Sequence, residues 1–354
     1  MYAAEYVFCK INISMKLFVW GYMVMALAAC GKSSGGAVMP PPVADTPIIK
    51  GADISWLTQM ESQGLKFYNS SGTAMDCIQL MQSLGINAIR LRVWVNPAGG
   101  WNSNADVVAK AKRVKQLGLR LMIDLHYSDS WADPGQQTKP AAWASLDSTA
   151  LVNQVHDYTF SVLDTLRTAG VVPTWVQVGN ETSDGMLWPD GQASKHMAAF
   201  AAMVNAGYRA VKSINDSIKV IVHIANGYDN SLFRWIFDGL KSNGASWDII
   251  GMSLYPPVDS WQSYDNNCLS NMNDMVARYN KPVMICEVGM PADQAVVCQS
   301  FLSDMISKTR SVTSGNGLGV FYWEPESYNS WQGYKLGAFD DTGKPTAAMN
   351  AFSH

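Results

Sequence analysis

The chain has 354 residues, with 26 Lys+Arg against 29 Asp+Glu, 48% hydrophobic content and only 16% charged residues. Such a chain can bury a large core, which excludes a disordered polymer and a small disulfide-stapled scaffold. The net charge of −3, with no basic run, provides no Lys/Arg stripe to follow a phosphate backbone, so nucleic acid is not an expected partner.

In chain order the first element is an apolar run of twelve residues, Phe18 to Ala29, preceded by Lys16. It is too short to span a bilayer as an ordinary helix and reads as a signal peptide, with Met15 as a candidate start. The run ends in Leu27-Ala28-Ala29-Cys30, which resembles the lipobox of bacterial lipoproteins, where the Cys is lipidated and becomes the N-terminus. An ordinary secretory signal ending in Cys is the alternative. Residues 31–47 are rich in Gly, Ser and then Pro and form a tether, leaving 48–354 as one domain. The expected location is outside the cytoplasm, anchored by lipid at Cys30 to a bacterial membrane. Gly31 after Cys30 is compatible with the outer membrane; a periplasmic or secreted form is the alternative.

Eight apolar, β-branched runs follow, at 50–55, 88–94, 119–127, 174–181, 219–225, 249–255, 282–289 and 318–326. Segments of helical period separate them at 73–84, 104–117, 147–169, 192–213, 230–243, 266–279 and 293–309. Several open on Asp, Asn or Ser and close on glycines such as Gly85, Gly118 and Gly170. Strict alternation predicts a parallel sheet. Eight repeats favour a closed (β/α)8 TIM barrel over an open doubly wound sheet, and no glycine-rich phosphate motif follows any strand. Of the later cysteines, Cys77, Cys268, Cys286 and Cys298 fit no CxxC metal spacing. Cys268 and Cys298 fall near one strand and either pair or remain buried thiols.

In such a barrel the reactive groups sit at the C-terminal ends of strands. Polar and aromatic residues gather there: Arg90, Arg92 and Trp94; Asp124, His126 and Asp129; Asn180 and Glu181; His223; Tyr255; Glu287; Trp323 and Glu324. The strand period of two turns Arg90, Arg92 and Trp94 to one face and Ile89, Leu91 and Val93 to the other. Inward arginines require buried Asp or Glu partners at the same level. Glu181 and Glu287 end strands on opposite sides of the mouth. Two carboxyls facing each other across a sugar-sized cleft are what glycosidic cleavage needs, although each could instead serve only as a salt-bridge partner.

Thirteen Trp and 14 Tyr exceed what a core needs, and large rings stack on flat ligands such as sugars. Trp94, Trp101, Trp131, Trp188, Trp261, Trp323 and Trp331 lie in or just after strand ends and are placed to line a cleft or to pack a loop on the rim. Trp175, Trp235 and Trp247 fall in apolar runs that read as core. Asp133, Asp184 and Asp190 read as isolated, solvated acids, so no metal is expected.

Gly179-Asn180-Glu181, Tyr255, Glu287 and Trp323 together resemble the pattern of clan A retaining glycoside hydrolases. The chain is most similar to family 53, the endo-β-1,4-galactanases, through KGADISWL (50–57), GINAIRLRVWVNP (85–97), DLHYSDSWADPGQQTKPAAW (124–143), WVQVGNETSDGMLWPDG (175–191), ICEVGM (285–290) and GVFYWEPE (319–326). This resemblance implies hydrolysis of internal β-1,4-galactosyl bonds in galactan or type I arabinogalactan, with no cofactor and as a monomer. A clan A endoglycanase on mannan or glucan, and a silent glycan-binding lipoprotein, are the alternatives. It further implies Glu181 as general acid/base and Glu287 as nucleophile, with carboxyls about 5–5.5 Å apart. Glu181 should then be protonated near neutral pH, while Arg90 or Arg92 with Tyr255 keeps Glu287 ionised.

By the same resemblance Asn180 hydrogen-bonds the sugar 2-hydroxyl, and Trp323 floors the −1 subsite through a cis peptide to Glu324. Asp129, His126 and His223 either bind galactosyl hydroxyls or orient the groups that do. Bacterial relatives often carry calcium in the loop after the eighth strand. No Asp or Glu occurs between Glu326 and Asp340 here, so no such site is expected.

Overall fold

The computed structural model describes residues 47–353. The proposed signal, Cys30 and all but the end of the tether lie outside them. Eight parallel strands close a barrel: β1 (Ile49–Asp53), β4 (Ala88–Val93), β5 (Arg120–Leu125), β6 (Trp175–Val178), β7 (Lys219–Ile224), β8 (Ile249–Leu254), β9 (Val283–Val288) and β10 (Gly317–Trp323). β1 pairs with both β4 and β10, which completes the circle. Between β1 and β4 the chain inserts α1 (Leu57–Ser62), a hairpin of β2 (Phe67–Tyr68) and β3 (Ala74–Met75), and α2 (Cys77–Ser83). Elsewhere single long helices return the chain: α3 (Asn104–Gln116), α4 (Ser148–Thr168), α5 (Ala193–Ile214), α6 (Asn230–Ser242), α7 (Trp261–Tyr279) and α8 (Ala295–Ser311).

The period of two divides each strand between two environments. Ile89, Leu91 and Val93 of β4 join the large core under the helices, whereas Ala88 belongs to a second apolar cluster with Met122, Trp175, Ile221, Ile249 and Phe321 inside the barrel. Two residues after Ala88, Met122, Trp175 and Ile221 come Arg90, Asp124, Gln177 and His223, all buried. The barrel is thus plugged with apolar side chains below and filled with polar ones above, towards the strands' C-terminal ends. Gly51 lets this plug close, since a Cβ there would lie 2.1 Å from the Phe321 ring.

β9 departs from strict alternation. Its register against β8 shifts between Met252 and Ser253, pairing them with Ile285 and Glu287. Through this irregularity Cys286 joins the internal plug while Glu287 also reaches the internal arginine.

Several expectations are corrected. The 73–84 helix begins at Cys77, because Ala74 and Met75 are used by the hairpin and the Asp76 side chain accepts from the backbone N–H groups of Ile78 and Gln79 as N-cap. α7 begins at Trp261 rather than 266, so Trp261 sits on a helix, edge-on to Phe301 of α8, and lines no cleft. Trp235 is not core but 42% exposed on α6. Of the two readings left open for Cys268 and Cys298, the structure shows free, buried thiols on adjacent helices. The Trp323–Glu324 peptide is not cis, as the cis bond among the described residues is Trp188–Pro189. The chain leaves β10 instead through Glu324, whose φ of 49° turns it away from the strand.

Candidate active site

The site grows out of Arg90, which is fully buried at the level where the polar residues begin. Its Nη1 meets Asp53 at 2.7 Å, its Nη2 meets Asp124 and Glu287 at 2.8 Å each, and its Nε donates to Gln177 at 2.7 Å. One guanidinium therefore ties β1, β4, β5, β6 and β9 together at the mouth. A buried cation surrounded in this way is satisfied, and removing a partner would strand charge in a low-dielectric interior. Burial alone would raise the Asp124 carboxyl, but Arg90 and His126 hold it below the usual range.

Glu287 receives two donors, Arg90 on Oε1 at 2.8 Å and the Tyr255 hydroxyl on Oε2 at 2.9 Å. Glu181 follows the turn after β6, where Gly179 and Glu181 both have positive φ. Burial pushes Glu181 up to about 7, the Ser253 hydroxyl and Arg90 oppose this, and the carboxylate of Asp133 adds to it. Burial also raises Glu287, with Arg90 working against it and Glu181 adding to it. The two carboxyls form an electrostatically linked pair. Burial raises both carboxyls, while Arg90 and the Tyr255 hydroxyl favour the charged form of Glu287, so the pair shares one proton near neutral pH.

Asn180 is locked beside them. Its Oδ1 accepts from Arg90 at 2.9 Å and its Nδ2 donates to the Ala132 carbonyl at 2.8 Å, which leaves one Nδ2–H directed elsewhere. His126 lies over Asp124, with Nε2 2.9 Å from Oδ2, while its Nδ1 accepts from Trp94 Nε1 and Ala132 N–H at 3.2 Å each. These contacts specify a neutral ring with the proton on Nε2. His223 is wholly buried between Gln177 and Ser253, and burial and then Arg90 hold it well below the usual imidazole range. It therefore orients other groups and does not face the cleft. Asp129 likewise spends its two carboxyl oxygens on the backbone N–H groups of Asn96 and Ala141.

Arg92 is the second inward arginine. It pairs with Glu324 and is packed against the rings of Trp56, Trp94 and Trp131, with centroids 5.1, 5.2 and 4.5 Å away. It does not contact Glu287, so the supporting cation there is Arg90. The rings it holds continue into a wall, as Trp131 lies 5.8 Å from Trp323 and Trp323 lies 4.8 Å from Tyr334, both edge-on.

Glu181, Glu287, Asn180, His126, Trp131, Tyr255 and Trp323 line one cavity of about 370 Å³. A second, of about 430 Å³, is lined by Trp56, Trp94 and Trp101 and shares Trp131, Trp323 and Tyr334 with the first. The two cavities adjoin at the mouth, with these three rings in the lining of both. Trp188 and Trp331 are in the lining of neither cavity; the Trp188 Nε1 donates to the Asp184 carbonyl, and Trp331 is buried. The isolated acids prove to be engaged: Asp133 lines the cleft and folds its own loop, Asp184 caps the start of α5 through Ser194, and Asp190 pairs with Lys139 at 2.9 Å.

Sequence reasoning missed Asp53, Trp56, Gln177, Ser253 and Tyr334. Asp53 and Gln177 could have been found by carrying the inward parity of Arg90 onto β1 and β6. Trp56 and Tyr334 carry no such signal, because they arrive on loops. Among the described residues no group of three His, Cys, Asp or Glu side chains is arranged to hold a metal.

Comparison with known proteins agrees in fold and in sequence. Residues 49–297 and 293–352 match the model of glycosyl hydrolase family 53. An arabinogalactan endo-β-1,4-galactanase of Thermothelomyces thermophilus is 33% identical over 298 residues, covering 78% of this chain and 89% of the relative. A solved structure from a study of two fungal β-1,4-galactanases superposes with a TM-score of 0.80 at 29% identity, covering 86% of this chain and 98% of the other. The family 53 catalytic domain of Ignisphaera aggregans gives the same TM-score, 0.80, and identity, 29%, over 89% of this chain and 98% of its own.

Proposed function

The chain belongs to glycosyl hydrolase family 53, and from that premise we propose that it cleaves internal β-1,4-galactosidic bonds of galactan and type I arabinogalactan with retention of configuration. The observation that carries this reading is the pairing of Glu181 and Glu287 in a groove walled by indole rings. Ionised Glu287, held by Arg90 and Tyr255, attacks the anomeric carbon as Glu181 delivers its proton to the departing glycosidic oxygen. The galactosyl ester on Glu287 then yields to a water from which Glu181, now ionised, takes a proton. On this reading the free Nδ2–H of Asn180 binds the 2-hydroxyl and Trp323 stacks under the reacting ring. Two adjoining ring-lined cavities offer room for more than one sugar unit, which suits attack inside a chain.

Reducing-sugar release from linear galactan, β-mannan and cellulose tests the substrate. Activity on galactan and little on the others is expected. Preference for mannan or glucan would overturn the galactan assignment, and no hydrolysis at all would favour a glycan-binding role.

Lysine followed by a short apolar run and Leu-Ala-Ala-Cys supports export and lipidation at Cys30. On this reading the catalytic domain is a monomer tethered outside the cytoplasm. Replacing Cys30→Ser should abolish incorporation of labelled palmitate and release the enzyme from the membrane fraction. The residues named perform the chemistry without a cofactor, and the stretch between Glu326 and Asp340 lacks the carboxylates a calcium site uses.

A further inference from the structure

We infer that this protein carries a second carbohydrate site, for an acidic sugar residue, in a small cavity at the other end of the barrel from the catalytic groove. The cavity measures about 270 Å³ and lies where α5, the end of α6, the approach to β8 and the end of α7 meet. These segments precede the strands, so the cavity opens on the N-terminal side of the barrel. Its volume falls just under the roughly 300 Å³ at which ligand clefts commonly begin, which suits one sugar ring and not a long chain.

Three rings form its wall and floor. Tyr208 is half-buried, while Trp247 and Tyr279 are 5% and 8% exposed. The Trp247 Nε1–H is buried and meets no acceptor among the described residues. Trp247 and Tyr279 belong to the core beneath the cavity, which leaves the half-buried Tyr208 ring as the face on which the apolar side of a pyranose can rest.

Charge selects the kind of sugar. Three acids lie around the cavity and on the helices behind it, and each is already matched: Asp248 with Lys212 at 2.7 Å, Asp238 with Arg278 at 2.5 Å, and Asp274 with Arg234 at 2.5 Å. Lys241 and Lys281 both line the cavity and are in no ion pair among the described residues. Lys241 instead lies 5.9 Å from the centre of the Tyr279 ring. Two ammonium groups outside any ion pair, beside the Tyr208 ring and on a chain of net charge −3, favour a carboxylate-bearing sugar over a neutral one. The catalytic groove recognises neutral galactosyl units by rings and hydrogen bonds. The cavity would therefore take a uronate-bearing glycan, chemically distinct from the neutral chain that the catalytic groove takes.

Native gels containing polygalacturonan, linear galactan or poly(glutamate) test this with the full chain, at low salt. Retardation by polygalacturonan is expected for the wild type and should be lost in the Lys241→Ala/Lys281→Ala double variant and kept in the Lys→Arg pair. Tyr208→Ala should weaken it roughly threefold to tenfold, the loss of one stacking ring. Hydrolysis of soluble linear galactan, assayed separately, should be unchanged in all of them, so failure of this site and failure of the galactanase reading give different results. Equal retardation of wild type and double variant would overturn the site. Equal retardation by poly(glutamate) would overturn its assignment to a sugar.

Discussion

At the residue scale, the two glutamates differ in what surrounds them. Glu287 has Arg90 and Tyr255 as direct donors, and Glu181 has none of comparable charge. Replacing Glu287→Ala should lower kcat on galactan by at least about ten-thousandfold, and Glu181→Gln by about a hundredfold to ten-thousandfold. Proton NMR of the first-formed anomer checks the stereochemistry, with the β-anomer expected from retention. The pH profile follows from the shared proton. Activity requires one proton on the pair; it falls at low pH, when both carboxyls are protonated, and at high pH, when the pair gives up that proton. Asp133 raises Glu181 through its negative charge, so Asp133→Asn should make Glu181 easier to ionise and move the alkaline limb of kcat/KM to lower pH. An unmoved or raised limb would show that Asp133 does not act on Glu181.

At the element scale, alternation within strands explains most of the placement. Arg90, Asp124, Gln177 and His223 are polar residues two positions above an apolar plug residue. The plug tolerates little change, and Gly51→Ala, which sets a methyl 2.1 Å from Phe321, should cost about 1–3 kcal/mol by overpacking. A lowered Tm with unchanged spectral signature of the barrel would register it. Here the sequence was readable as far as regular periodicity extends. It placed eight strands and the long helices, and the inward arginines announced buried acids. It did not foretell the irregularity in β9 that brings Glu287 inward beside Cys286. Nor did it place the two-residue strands of the hairpin, which are too short to have a period.

At the scale of the whole molecule, stability and catalysis respond to pH through different groups. Asp265 on α7 is fully buried, neither carboxyl oxygen meets a hydrogen-bond donor, and burial followed by the neighbouring Asp304 of α8 pushes it up to about 9. An acid whose folded value lies above its unfolded value holds its proton in the native state. The native state is therefore penalised progressively as pH rises from about 4, the unfolded value, towards 9. Asp265→Asn should remove that penalty and stabilise the fold by about 1–3 kcal/mol at pH 8, with little gain at pH 4. Thermal melts across that range check it, and a gain that is equal at both ends would contradict the assignment.

The sequence by itself determined the barrel, the strands that carry the chemistry and the family, because period-two patterning and long local motifs are written in neighbouring residues. Only the tertiary structure decided which groups meet. Arg90 and not Arg92 supports Glu287, His223 and Asp129 serve as orienting groups, and Trp56 and Tyr334 complete the ring wall. Closure of the circle brings five strands to one guanidinium, and loop residues far apart in the chain to one groove. Those distances are set by the register and curvature of the closed sheet, which no local pattern records.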